Sequence, residues 1–112
     1  MPTITAENVY EISRRLLCAG GALDEHAITV ARHLVDANLA GHDSHGFIRI
    51  IQYLKNIDDG HIDPKAQPKL VNDGKGTAKV NGNSTFGQVV ATFATRLAID
   101  KAREFGISMV NM

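Results

Sequence analysis

Residues 41–53 read GHDSHGFIRIIQY, and the fold turns on how that run is taken. Asp43, Ser44, His45 and Gly46 stand in a row ahead of an apolar, helix-like segment, and Arg49 follows one turn later. A linker needs no histidine there, and a packed helix needs no arginine beside it. Taken as one helix capped by Asp43 or Ser44, the run rotates by about 100° per residue. Arg49 then lies at about 40° from His45, Gln52 at about −20° and Tyr53 at about 80°. Phe47, Ile50, Ile51, Leu54 and Ile57 fall on the opposite side and are expected to be buried. The other face is a stripe of His, Arg, Gln and Tyr, rich in donors and positive charge.

Such a stripe suits a small carboxylate. Arg49 is suited to a bidentate pair with it, and His45 can give or take a proton near neutral pH. Ser44 adds a hydroxyl, and Gly46 would let a ligand approach the backbone. Ser44 and His45 are neighbours, and neighbours on a helix do not face each other, so they are not expected to touch as nucleophile and base. A plainer reading competes: Asp43 and Ser44 are ordinary caps, His45 is half-buried, and Arg49 pairs with an acid on another helix. Spacing alone leaves both open.

Working outward, Thr5 is expected to cap a first helix with Val9, Ile12, Leu16 and Leu17 as its apolar stripe, ended by Gly20-Gly21. Asp24 caps a second, carrying Ala27, Ile28, Ala31, Leu34, Val35 and Leu39, with Gly41 just past its end. The third runs to Gly60. HIDPKAQP then reads as a loop. KLVND and TAKVN form a hairpin around Gly74 and Gly76, and Asn81-Gly82-Asn83 is a second turn. Ser84 or Thr85 caps a long helix with Phe86, Val90, Phe93, Ala94, Leu97 and Ala102 inward, stopped by Gly106. ISMVN reads as a final buried strand. The fold class is α+β: a helical segment over 1–60 carrying the DSHG run, then the start of an α/β part over 61–112. A helix, a glycine and an apolar strand open a repeating unit, so the chain is expected to be an N-terminal piece of something longer.

Composition narrows the partners. The 112 residues carry 12 Lys plus Arg against 12 Asp plus Glu, and 44% are apolar. A globular domain of net charge zero gives no bulk attraction to nucleic acid or an anionic membrane. No run is long enough to span a bilayer, and no secretory leader is visible. One cysteine, Cys18, excludes an internal disulfide, and a cytoplasmic setting is expected. It reads as a buried small residue rather than a reactive thiol. His42 and His45, with Asp43 or His61, match no strong metal motif, so no metal is expected. His26 and His33 read as surface or boundary residues. No Walker loop or dinucleotide fingerprint occurs in the right context.

The run DSHGFIRIIQY resembles the D-S-H-G-x-x-R-x-x-x-Y signature of the type 2 malate/L-lactate dehydrogenase family. That family includes sulfolactate, ureidoglycolate and diketogulonate dehydrogenases, and its fold is not the Rossmann fold. The likeness extends through ITAENVYEISRRLL, DGHIDPKAQP, VNGNSTFGQVVA and AIDKAREFGIS. It implies an enzyme interconverting 2-oxo and 2-hydroxy acids with NAD or NADP, working as a homodimer. It implies that His45 donates the proton to the carbonyl oxygen and that Ser44 and Arg49 hold the substrate. It assigns no firm role to Tyr53 or Gln88. Family members continue well past this length, so the cofactor segments and the acid expected to orient the histidine are not expected here. This chain alone is expected to be inactive. The alternative is a non-enzymatic helical module that dimerises through its apolar stripes.

Overall fold

The computed structural model describes residues 3–112. They form four α-helices and a three-stranded sheet. The chain divides into two compact units, one ending at Lys65 and one running from Ala66 to Met112.

The first unit is helical. Helix α1 (Ala6–Ala19) starts where the Thr5 hydroxyl accepts from the Asn8 amide at 3.2 Å, with Glu7 in the positive first turn. It packs on α2 (Asp24–Leu39) through Ser13 and Leu17, both wholly buried. Ser13 is small enough to let the two backbones close in, and its hydroxyl is satisfied by the Val9 carbonyl at 2.7 Å. The contact line is therefore the i, i+4 pair at 13 and 17. Ile12 and Leu16, expected inside, lie beside it at 42% and 36% exposed. On α2 the buried set is Ala27, Val30, Ala31, Leu34 and Val35. His26, read as a boundary residue, is buried among them at 3% exposed, while Leu39 at the far end is exposed. Asp24 is the first residue of α2 rather than its cap: the N-cap is Leu23, with no side-chain bond. The Asp24 carboxylate instead accepts from Arg14 at 2.7 Å and ties α1 to α2.

Helix α2 ends in a Schellman turn. The His42 amide donates to the Ala37 carbonyl at 2.8 Å and the Gly41 amide to the Asn38 carbonyl at 3.1 Å. This geometry needs a left-handed residue, and Gly41 supplies it at φ +84.

The third helix departs most from expectation. It does not begin at Asp43 or Ser44. Residues Asp43–His45 and Phe47–Arg49 form two short 3-10 turns, and α3 spans only Ile50–Asp58. Gly46 sits between the turns in an extended conformation, φ −97 and ψ −148, which no helix can pass through. The rotation argument from His45 therefore fails. Ile50 is buried, Phe47, Leu54 and Ile57 are half-buried, and Ile48 and Ile51 point out at 70% and 74% exposed.

The second unit is a sheet with a helix on it. Strands β1 (Lys69–Asp73) and β2 (Thr77–Asn81) form the antiparallel hairpin, with a bulge between Leu70 and Asn72. β2 alternates, burying Ala78 and Val80, whereas β1 is exposed throughout. Helix α4 (Gly87–Phe105) packs on β2 and on β3 (Met109–Asn111), which runs parallel to β2. Phe86, Val89 and Ala94 are buried, but Phe93 is 37% exposed. The helix has no Ser84 or Thr85 cap: Phe86 is the N-cap residue, and the Thr85 hydroxyl is buried. β3 is no buried strand either: its Met109 is 70% exposed, and Ile107, expected in the strand, lies before it at 79% exposed. The strand pairs with β2 alone in the sheet order β1-β2-β3 and so lies at the edge.

Candidate functional site

Ser44, His45 and Arg49 do come together, by a route other than a shared helix face. The 3-10 turn brings the Ser44 hydroxyl within 3.1 Å of His45 Nδ1. Neighbours not expected to touch do so here, at the last residues of the turn before Gly46 leaves helical geometry. The Ser44 carbonyl accepts from Arg49 Nε at 2.7 Å. Ser44 thus joins the imidazole through its side chain and the guanidinium through its backbone. Arg49 Nη1 donates to Gln52 Oε1 at 2.8 Å. Two of the five guanidinium N–H groups are used in these bonds, leaving three for a ligand. His45 Nε2 makes no hydrogen bond among the described residues. Ser44 and His45 are exposed and Arg49 is half-buried, so an acid from solvent reaches all three.

The turn is built on a residue that the motif does not contain. Asn38, in the last turn of α2, donates from Nδ2 to Asp43 Oδ1 at 2.9 Å and accepts the Phe47 amide on Oδ1 at 2.8 Å. Asp43 is therefore held as an acceptor and caps nothing. Gly46 is buried, and a Cβ there would overlap the Asn38 side-chain amide. Its lack of a side chain makes room for Asn38, not for a ligand. One signal for Asn38 was present: a poor helix former standing in the last turn before Gly41.

Tyr53 lies half-buried on α3. Among the described residues no group of three or more His, Cys, Asp or Glu is placed to hold a metal, so His42, His45, Asp43 and His61 do not converge. A separate open hollow of about 610 Å³ lies between α1 and α2, lined by Ala6, Tyr10 and Val35 with Glu7, Glu11, Asp36 and Arg32. Three carboxylates against one guanidinium make it a poor seat for an anionic acid. No helix among the described residues is long and apolar enough to cross a membrane.

The sequence pattern of the malate/L-lactate dehydrogenases matches residues 4–112. The chain belongs to that family. Within the family it is 35% identical over 105 residues to hydroxycarboxylate dehydrogenase B of Escherichia coli K12, covering 94% of this chain and 29% of the relative. It is 36% identical over 109 residues to malate/(S)-sulfolactate dehydrogenase of Methanothermus fervidus, covering 97% of this chain and 32% of the relative. The crystal structure of malate dehydrogenase from Entamoeba histolytica superposes with a TM-score of 0.93 at 32% identity, over 97% of this chain and 30% of that one. The chain spans about a third of the length of the family members it matches.

Proposed function

We propose that the protein carrying this chain is an NAD(P)-dependent oxidoreductase that interconverts 2-oxo and 2-hydroxy acids. The observation that carries this reading is the Ser44–His45–Arg49 cluster, in which a proton carrier and a carboxylate receptor share one serine. The names of the relatives, dehydrogenases of malate, sulfolactate and hydroxycarboxylates, support the same substrate class.

The chemistry follows from the contacts. The free N–H groups of Arg49 take the substrate carboxylate. His45 Nε2 delivers a proton to the carbonyl oxygen as the 2-oxo acid becomes a 2-hydroxy acid, and recovers it in the reverse direction. Ser44 Oγ accepts from Nδ1–H while the ring is charged and still does so after Nε2 has given up its proton, so the ring stays oriented in both states. A nicotinamide nucleotide, when bound, supplies the hydride. Neither Gly46 nor Gly82 opens a cradle for it. The space at Gly46 is filled by Asn38, and that at Gly82 by Val90. The part of the reaction assigned here to Ser44, His45 and Arg49 is acid binding and proton delivery.

The test is reduced-nucleotide consumption by the full-length protein with a panel of 2-oxo acids. The reading expects turnover on at least one, and a fall of about 10²–10⁴ in kcat for His45→Ala. Silence across the panel, or a His45→Ala protein with unchanged kcat, would overturn it. The exposed Ile48 and Ile51 favour a second reading, an association module. That reading expects concentration-dependent mass and a Tm indifferent to 2-oxo acids, whereas a ligand of the folded state raises Tm.

A further inference from the structure

We infer that Asn38 is the positioning residue of this site, holding the loop that presents Ser44 and His45 in its working shape. The inference rests on the reading of His45 as the proton carrier.

The loop is clasped from both ends by one side chain. The Asn38 amide donates to Asp43 Oδ1 at 2.9 Å, just before Ser44. Its carbonyl oxygen accepts from the Phe47 amide at 2.8 Å, just after Gly46. The backbone carbonyl of the same residue accepts from Gly41 at 3.1 Å within the turn that ends α2. The loop is thereby referenced to a helix whose inner face is fully buried at Val30, Ala31 and Leu34. Between the two clasped points lie Ser44, His45 and Gly46, with no α-helical hydrogen bond to hold them.

The chemistry of the clasp selects asparagine. One end needs a donor and the other an acceptor, at the reach of a single short side chain. Aspartate in its place would set two carboxylates against each other at Asp43. Leucine would leave the half-buried Phe47 amide without its acceptor. Glutamine would carry the amide one methylene too far into the space that Gly46 leaves open.

Because donor and acceptor roles are reversible, the arrangement can be rebuilt with its polarity exchanged. Asn38→Asp sets carboxylate against carboxylate. Adding Asp43→Asn restores a donor opposite an acceptor, while the carboxylate introduced at position 38 still accepts from the Phe47 amide. The full-length protein is assayed as wild type, as Asn38→Asp, as Asp43→Asn and as the double variant. Two readouts are taken, steady-state kinetics on 2-oxo acids and hydrogen exchange of the Phe47 amide.

Asn38→Asp is expected to lose about 10–100-fold in kcat with a smaller change in KM, since a shift of about 1 Å in the proton carrier suffices for that. Its Phe47 amide exchanges at least about tenfold faster as the loop opens. Asp43→Asn stays near wild type, and the double variant recovers most of both losses. A double variant no better than Asn38→Asp overturns the inference, as does an Asn38→Asp protein with unchanged kcat and Phe47 protection. If the wild type turns over no 2-oxo acid, the dehydrogenase reading falls. The exchange pattern alone then decides the clasp: loss and rescue uphold it, and no loss or no rescue removes it.

Discussion

At the scale of single residues, Lys101 shows how little of a side chain's role follows from its type. Its ammonium is buried on α4, paired with Asp73 and donating to the Gly74 carbonyl at 2.7 Å. Asp73 is 59% exposed in its side chain. The pair is therefore asymmetric: water can take over the carboxylate but not the ammonium. Asp73→Ala strands a buried cation on one carbonyl, whereas Lys101→Met removes the charge and keeps the apolar stem. The expected order of stability in urea is wild type, then Lys101→Met, then Asp73→Ala. Lys101→Met should lose about 1–2 kcal/mol for the unmade bond to Gly74. A Lys101→Met protein less stable than Asp73→Ala would show that the charge pair, not desolvation, dominates there.

At the scale of elements, the ends of helices decide more than their middles. The four helices and the hairpin were legible, because apolar spacing, glycine stops and turn residues act within one segment. The start of α3 was not, because its competitor comes from another element: Asn38 takes the Phe47 amide, and the helix waits until Ile50. The contact between Ser44 and His45 was likewise not expected from helical spacing. Ser44, His45 and Arg49 were candidates from the DSHG run and the resemblance it carries, whereas Asn38 belongs to no recognisable motif. Glycine substitutions separate the two kinds of helix end. Gly41→Ala forces φ +84 on an L-residue and should cost about 1–2 kcal/mol. Gly87→Ala, at the first turn of α4 with nothing within 4 Å, should be neutral or stabilise by up to about 1 kcal/mol. Chemical denaturation of the two variants measures both, and Gly41→Ala should also disturb the loop that follows it.

At the scale of the whole molecule, charge and sulfur chemistry meet at the α1–α2 contact. Hydrogen bonds from Arg14 and then Arg15 hold the Glu11 carboxyl below its ordinary value near 4.5. A carboxyl depressed by folding stabilises the fold above its unfolded value, and that stabilisation is lost as pH falls through the folded one. Glu11→Gln should therefore lower Tm at pH 7, with the gap to wild type closing as pH falls through the folded value. A gap between the two proteins that persists in acid would point to packing instead.

Cys18 lies half-buried beside that contact, its sulfur 3.8 Å from Asp24. Burial first, and then the Asp24 carboxylate, push its thiol above the usual range, so little thiolate exists at neutral pH. Separating α1 from α2 would relieve both restraints at once. The chain thus carries a built-in stopwatch. With only one sulfhydryl to modify, any quickening in the pace at which an alkylating reagent consumes it registers a loosening of the helical pair, with no dye, tag or engineered handle.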